Sequence, residues 1–170
     1  YTTLNLECVS NCPLRKLDLS YSKISHFPPI EIMRQLIELD LSGQVTSTIE
    51  FLGDCANLRK LNLNGSSNIH DITTLQSLTT LEELNLVKSH AYDYSPLALL
   101  VNLRYLNLGN STIADLSCLE TLTQLQVLNV SKCTSITTLD SLTCLRSLLD
   151  VDVSHCLRIS TLAPLGRCKQ

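Results

Sequence analysis

The sequence predicts a solenoid of the α/β type: a right-handed superhelix with a parallel β-sheet on its concave face and 3₁₀ or extended return arms on its convex face. Three observations predict it. The pattern L-x-x-L-x-L begins at Leu14, Leu36, Leu58, Leu81, Leu103, Leu125 and Leu148, in steps of 22, 22, 23, 22, 22 and 23 residues, with Val in some places of the last two units. Within each unit the first half alternates apolar and polar residues, and the second half is apolar at every third residue. Self-similarity at a fixed period of this size marks stacked repeats, each one supersecondary unit.

The alternating half, as in Leu4-x-Leu6 or Leu106-x-Leu108, has the period of two that a short strand requires. The other half runs Ile24, Phe27, Ile30, Met33, Leu36 in one unit and Ile69, Ile72, Leu75, Leu78, Leu81 in another. A third runs Ile113, Leu116, Leu119, Leu122, Leu125. A spacing of three rather than 3.6 lines these side chains up along a 3₁₀-like or extended arm, so longer α-helices are not expected in most units. Pro28, Pro29, Pro96 and Pro164 fall in these arms, where no strand hydrogen bond is lost.

One unit cannot bury its own leucines, so neighbours must stack and share a core. A first copy, "YTTLNL" from Tyr1, replaces only the leading Leu. It brings the expected count to about eight repeats, starting near 1, 14, 36, 58, 81, 103, 125 and 148, in a single domain over residues 1–170. Eight strands spaced about 4.8 Å apart would make a wall about 34 Å long. The chain opens without Met and shows no polar capping unit at either end. Terminal repeats need such caps, so the expectation is a fragment of a longer protein.

Composition narrows the function classes. The chain is 44% hydrophobic but only 4% aromatic, without Trp, so its core is aliphatic. Net charge is −3, which argues against a nucleic-acid binder with a basic face. No apolar run reaches the ~18 residues a membrane span needs. Five scattered glycines form no phosphate-cradling loop, and the four histidines belong to different units. The expectation is a chain that is not an enzyme and carries no cofactor.

The repeat resembles the leucine-rich repeats, whose consensus is L-x-x-L-x-L-x-x-N/C-x-L. Its 22 to 23-residue length and I-x-x-L-x-x-L-x-x-L arm are most similar to the short class found in bacterial internalins and in the regulatory subunit of nuclear type-1 phosphatase. The stretch "SKCTSITTLDSLTCL", with Cys in place of Asn, also resembles repeat proteins of trypanosome surface-antigen expression sites. That likeness implies an adenylate-cyclase regulatory role.

In register, the ninth position of each unit is where the family's Asn caps loop backbone groups. Here it reads Ser22, Gln44, Ser66, Ser89, Ser111, Cys133 and Cys156. Cys133 and Cys156 are read as buried ladder thiols, although adjacent rungs also bring them within disulfide range. A zinc site that adds His155 to them lacks a fourth ligand. Cys55, Cys118, Cys144 and Cys168 read as return-arm filler. Cys8 and Cys12 flank the first turn and match the family's cysteine-rich extracellular cap poorly. Reduced thiols and an intracellular site, cytoplasmic or nuclear, are therefore expected. The sequons at Asn64, Asn110 and Asn129 follow from fixed Asn and Ser columns.

Recognition is expected on the strand residues between the leucines, which face out of the inner wall. The fifth position reads Asn5, Asp18, Asp40, Asn62, Asn85, Asn107, Asn129 and Asp152. It forms either a cross-rung amide ladder or a polar strip for a partner. The third position varies: Thr3, Lys16, Glu38, Lys60, Glu83, Tyr105, Val127 and Asp150. Alternating signs keep like charges off adjacent rungs, and Tyr105 has the character of an interface hot spot. The fifth unit, "VKSHAYDYSPLALL", offers a second contact edge at His90 and Tyr92, with Tyr94 turned into the core. The functional expectation is an adaptor or regulatory segment that binds a protein partner on its concave face. An extracellular adhesin or receptor ectodomain and a structural spacer are the alternatives.

Overall fold

The computed structural model describes residues 4–5, 13–22, 24–26 and 30–167. Among the described residues nine short strands occur: β1 (Leu4–Asn5), β2 (Lys16–Asp18), β3 (Ile24–His26), β4 (Glu38–Asp40) and β5 (Lys60–Asn62), then β6 (Glu83–Asn85), β7 (Tyr105–Asn107), β8 (Val127–Asn129) and β9 (Asp150–Asp152). Seven of them form one parallel sheet in the order β2-β4-β5-β6-β7-β8-β9. The register equals the repeat, so Lys16 faces Glu38, Glu38 faces Lys60, and so on to Asp150 beside Val127.

The wall thus has seven strands rather than the eight expected. β1 pairs instead with β3, in a separate two-stranded parallel sheet with a shifted register. The spacing explains this. Only 13 residues separate the starts at Tyr1 and Leu14, too few for a rung that takes 22 or 23. Of the series from Ile24 to Leu36, Ile24 lies in β3 and Phe27 lies outside the described residues, while Met33 and Leu36 are buried.

The return arms are 3₁₀ turns, as a spacing of three requires: Glu50–Asp54, Thr73–Ser77, Ser95–Leu99, Ser117–Leu119, Asp140–Cys144 and Ala163–Arg167. One turn of α-helix, α1 (Ile30–Met33), stands in the second unit. Asp71, Asp93 and Asp115 each accept a backbone N–H two residues on, at 2.8 to 2.9 Å, and so brace the start of the following turn.

Between wall and arms lies a continuous aliphatic core. In the rung from Leu103, Leu103, Leu106, Leu108, Ile113, Leu119 and Leu122 are all at most 1% exposed. Full burial of each such side chain stabilises by about 1.5–3 kcal/mol. Tyr94 joins this core as expected, its hydroxyl donating to the Ser89 carbonyl at 3.1 Å.

Candidate protein-interaction surface

Every rung of the wall ends in the same way. The side-chain oxygen at the fifth position accepts the backbone N–H two residues later: Asp18 from Ser20, Asp40 from Ser42, Asn62 from Asn64, Asn85 from Val87, Asn107 from Gly109, Asn129 from Ser131 and Asp152 from Ser154. The distances run from 2.8 to 3.1 Å. This is an Asx turn, which turns the chain off the strand. The residue that follows is left-handed in all seven units: Tyr21, Gly43, Gly65, Lys88, Asn110, Lys132 and His155, with φ between 53° and 75°. Only two of them are glycine, so the turn imposes a conformation that most side chains avoid.

The fifth position therefore serves its own turn first, and bonds between rungs are secondary. Asn62 Nδ2 donates to Asp40 Oδ2 at 2.8 Å, and Asn129 Nδ2 to Asp152 Oδ2 at 3.0 Å. Asn107 Nδ2 instead reaches the Tyr105 hydroxyl at 3.3 Å. Both functions leave one edge of each side chain on the open wall, where the fifth-position residues are half-buried except for exposed Asp18.

The third position resolves into pairs. Lys16 Nζ lies 3.0 Å from Glu38 Oε2, and Lys60 Nζ lies 2.8 Å from Glu83 Oε1. Its bond to Lys16 holds the Glu38 carboxyl below the usual carboxylate range, and the bond to Glu83 raises the Lys60 ammonium. A third pair, Arg59 with Glu82 at 2.8 Å, sits at the second position, outside the expected contact columns. Tyr105 and Val127 follow, both half-buried, and then exposed Asp150. From β2 to β7 these side chains line a shallow groove of about 380 Å³ that runs from Lys16 to Tyr105.

The ninth position points inward. Gln44 donates to the Leu19 carbonyl, Ser66 to Leu41 at 3.4 Å, Cys133 to Leu108 at 3.1 Å and Cys156 to Val130 at 3.0 Å. Each bond ties a loop to the strand end of the preceding rung. Cys133 and Cys156 are buried and free, as are the thiols of Cys55, Cys118 and Cys144 in that no disulfide joins them. Burial, helped by Asp54, pushes the Cys55 thiol up to about 12, and burial with Asp115 does the same for Cys118. Cys144 is the exception to the filler reading, because it is exposed. Cys8, Cys12 and Cys168 lie outside the described residues. No group of three or more metal-ligating side chains occurs among the described residues.

At the second edge, Tyr92 is 85% exposed and stacks on His70 at 4.9 Å between ring centroids. His90 is held through its carbonyl, 2.9 Å from His70 Nδ1. Of the sequons, Asn110 is exposed, Asn64 is half-buried, and Asn129 has its amide nitrogen committed to Asp152. No helix among the described residues is long and apolar enough to cross a membrane.

A family model for leucine-rich repeats, built on two copies, matches residues 34–77 and 101–144, just over half of the chain. The chain belongs to the leucine-rich repeat proteins. Among solved structures, this leucine-rich repeat chain is similar to an internalin C2 of Listeria monocytogenes. The identity is 30% and the TM-score 0.82, covering 92% of this chain and 68% of that one. It is also similar to an internalin F of the same organism, at 29% identity and TM-score 0.77, covering 82% of this chain and 40% of that one. The leucine-rich repeat domain of the type III effector XopL shares the fold at 17% identity and TM-score 0.71, over 89% of this chain and 56% of that one. The chain thus spans less than half the length of that internalin F. No curated protein matches it by sequence. Leucine-rich repeat chains are as a group protein-interaction modules, and the short-class likeness to internalins holds.

Proposed function

We propose that this chain is an adaptor or regulatory segment that binds a protein partner on its concave wall, without catalysis of its own. One observation carries the reading. The third position changes chemistry from rung to rung, through Lys16, Glu38, Lys60, Glu83, Tyr105, Val127 and Asp150, while the register beneath it never changes. Side chains varied on a fixed lattice suit recognition. They include an aromatic, the type enriched among residues that dominate interface energy. The wall is shallow and open, unlike the enclosed, mostly apolar pockets that take small molecules.

A second reading, an extracellular adhesin or receptor segment, draws on the likeness to two internalins. The discriminating experiment is a pull-down with the chain beside a Glu38→Lys, Tyr105→Ala, Asp150→Lys variant of matched thermal stability. Partners lost only by the variant support concave recognition, and their compartment separates the two readings. If both proteins retain the same partners, the concave reading is wrong.

A further inference from the structure

Charge is distributed unevenly over the wall. In the third and fifth positions, Lys16 and Lys60 are matched by Glu38 and Glu83, their ion-pair partners. Asp18, Asp40, Asp150 and Asp152 remain, and none of them has an ion pair among the described residues. These two columns therefore carry four uncompensated negative charges, more than the net −3 of the whole chain. The four lie at the two ends of the sheet, Asp18 and Asp40 on β2 and β4, Asp150 and Asp152 on β9. Between them the fifth position is uncharged, as Asn62, Asn85, Asn107 and Asn129. The third position there ends in the apolar pair Tyr105 and Val127 on adjacent strands.

Nothing in the turn chemistry requires the carboxylates. Four rungs fill the fifth position with Asn and make the same bond to the N–H two residues on. Asp150 has no part in any turn. Ionisation at Asp18 and Asp152 is favoured chiefly by the hydrogen bond from the side chain of Ser20 or Ser154, so both remain charged at neutral pH.

We propose that the wall takes a cationic protein segment laid across the strands, with Lys or Arg side chains over Asp18 and Asp40 at one end and over Asp150 and Asp152 at the other, and an apolar side chain against Tyr105 and Val127. This rests on the concave-face reading above and adds the chemistry of the partner. From β2 to β9 is six strand spacings, about 29 Å, which an extended segment covers in about nine residues. Opposite charge brought together in this way raises the association rate and rejects acidic partners. An acidic wall repels nucleic acid for the same reason.

The test uses a fluorescein-labelled peptide of about ten residues, with two lysines at each end and Leu-Phe in the middle, titrated by fluorescence anisotropy. A counterpart carries glutamates in place of the lysines. The wall variant is Asp18→Asn, Asp40→Asn, Asp150→Asn, Asp152→Asn. A charge-matched control, Asp71→Asn, Asp93→Asn, Asp115→Asn, Asp140→Asn, removes four exposed carboxylates from the return arms. The lysine peptide is expected to bind about tenfold or more tighter than the glutamate peptide, and to weaken by a similar factor in the wall variant but not in the control. Tyr105→Ala is expected to weaken binding while leaving its salt dependence unchanged. Equal loss in wall variant and control overturns the proposal, as does no binding of the lysine peptide. If the Glu38→Lys, Tyr105→Ala, Asp150→Lys protein loses cellular partners that the four-Asn wall keeps, concave recognition stands and the cationic partner falls.

Discussion

Lys60 and Glu83 meet at 2.8 Å across two adjacent strands, with both side chains about half exposed. Lys16 and Glu38 repeat the arrangement two strands away. Opposite charges in register on neighbouring strands stabilise weakly when exposed, and like charges there destabilise. Lys60→Glu sets three glutamates on consecutive rungs and is expected to lower the melting temperature. Lys60→Glu with Glu83→Lys restores the Lys60–Glu83 pair but leaves Glu38 beside a Glu, so it should recover only part of the loss. A double-mutant cycle by thermal denaturation measures both, and equal stability of all four proteins would remove the pairs from any account of register.

The Asx turns predict a substitution pattern at Asn85 that size alone does not. Asn85→Asp keeps the oxygen that accepts the Val87 N–H and should be nearly neutral. Asn85→Ala leaves that N–H without its partner and should cost about 1 kcal/mol. Gly65, left-handed at φ 75°, has nothing closer than 3.8 Å to an added Cβ. Asn, which occupies the same column at Asn110, is therefore expected to be tolerated there, whereas Gly65→Val should destabilise clearly, because a β-branched residue resists positive φ. Urea unfolding of the four variants settles the ranking.

The thiols should differ sharply in reactivity. With their pKa values at about 12, Cys55 and Cys118 hold about one thiolate in ten thousand at pH 8. Cys144 is exposed. Iodoacetamide on the native chain at pH 8, read by peptide mass mapping, is expected to label Cys144 while Cys55 and Cys118 stay protected until guanidine is added. Native labelling of Cys55 as fast as Cys144 would contradict the packing described above.

Acid should loosen the molecule late. Hydrogen bonds from Ser or Thr hold Asp18, Asp71, Asp93, Asp115 and Asp152 below the usual carboxylate range. A carboxyl whose folded pKa is depressed stabilises above its unfolded pKa, and that contribution is lost as pH falls through the folded value. The melting temperature is expected to be flat from about pH 8 to 5 and to drop below about pH 4. In the Asp71→Asn, Asp93→Asn, Asp115→Asn protein the acid decline should be shallower.

Most of this architecture was legible because packing writes it directly. A Leu every 22 or 23 residues is the imprint of a core shared between rungs, and a spacing of three foretells 3₁₀ arms such as Thr73–Ser77. Tyr94 in the core and Cys133 at the inner turn could be placed by column alone. What escaped was decided by backbone geometry. The unit from Tyr1 carries the strand letters but not the length of a rung, so Leu4–Asn5 pairs with β3. The fifth position looked like a ladder because its residues are alike. The bond common to all seven runs to the chain two residues on, with cross-rung bonds added at Asn62–Asp40 and Asn129–Asp152. A signal for the turn was present, since Asx residues favour turns at strand ends. The left-handed column was only partly visible: Gly43, Gly65, Asn110 and His155 are types that favour positive φ, but Tyr21, Lys88 and Lys132 are not.

Because the Asx oxygen compels the bend, the position after it is released from the usual demand for glycine. Five of the seven rungs therefore display a side chain at the rim, Tyr21, Lys88, Asn110, Lys132 and His155, whereas at Gly43 an added Cβ would run into the Tyr21 ring and β-branched residues are disfavoured throughout the column. A border that would otherwise be bare backbone becomes a second line of text, open to most unbranched letters.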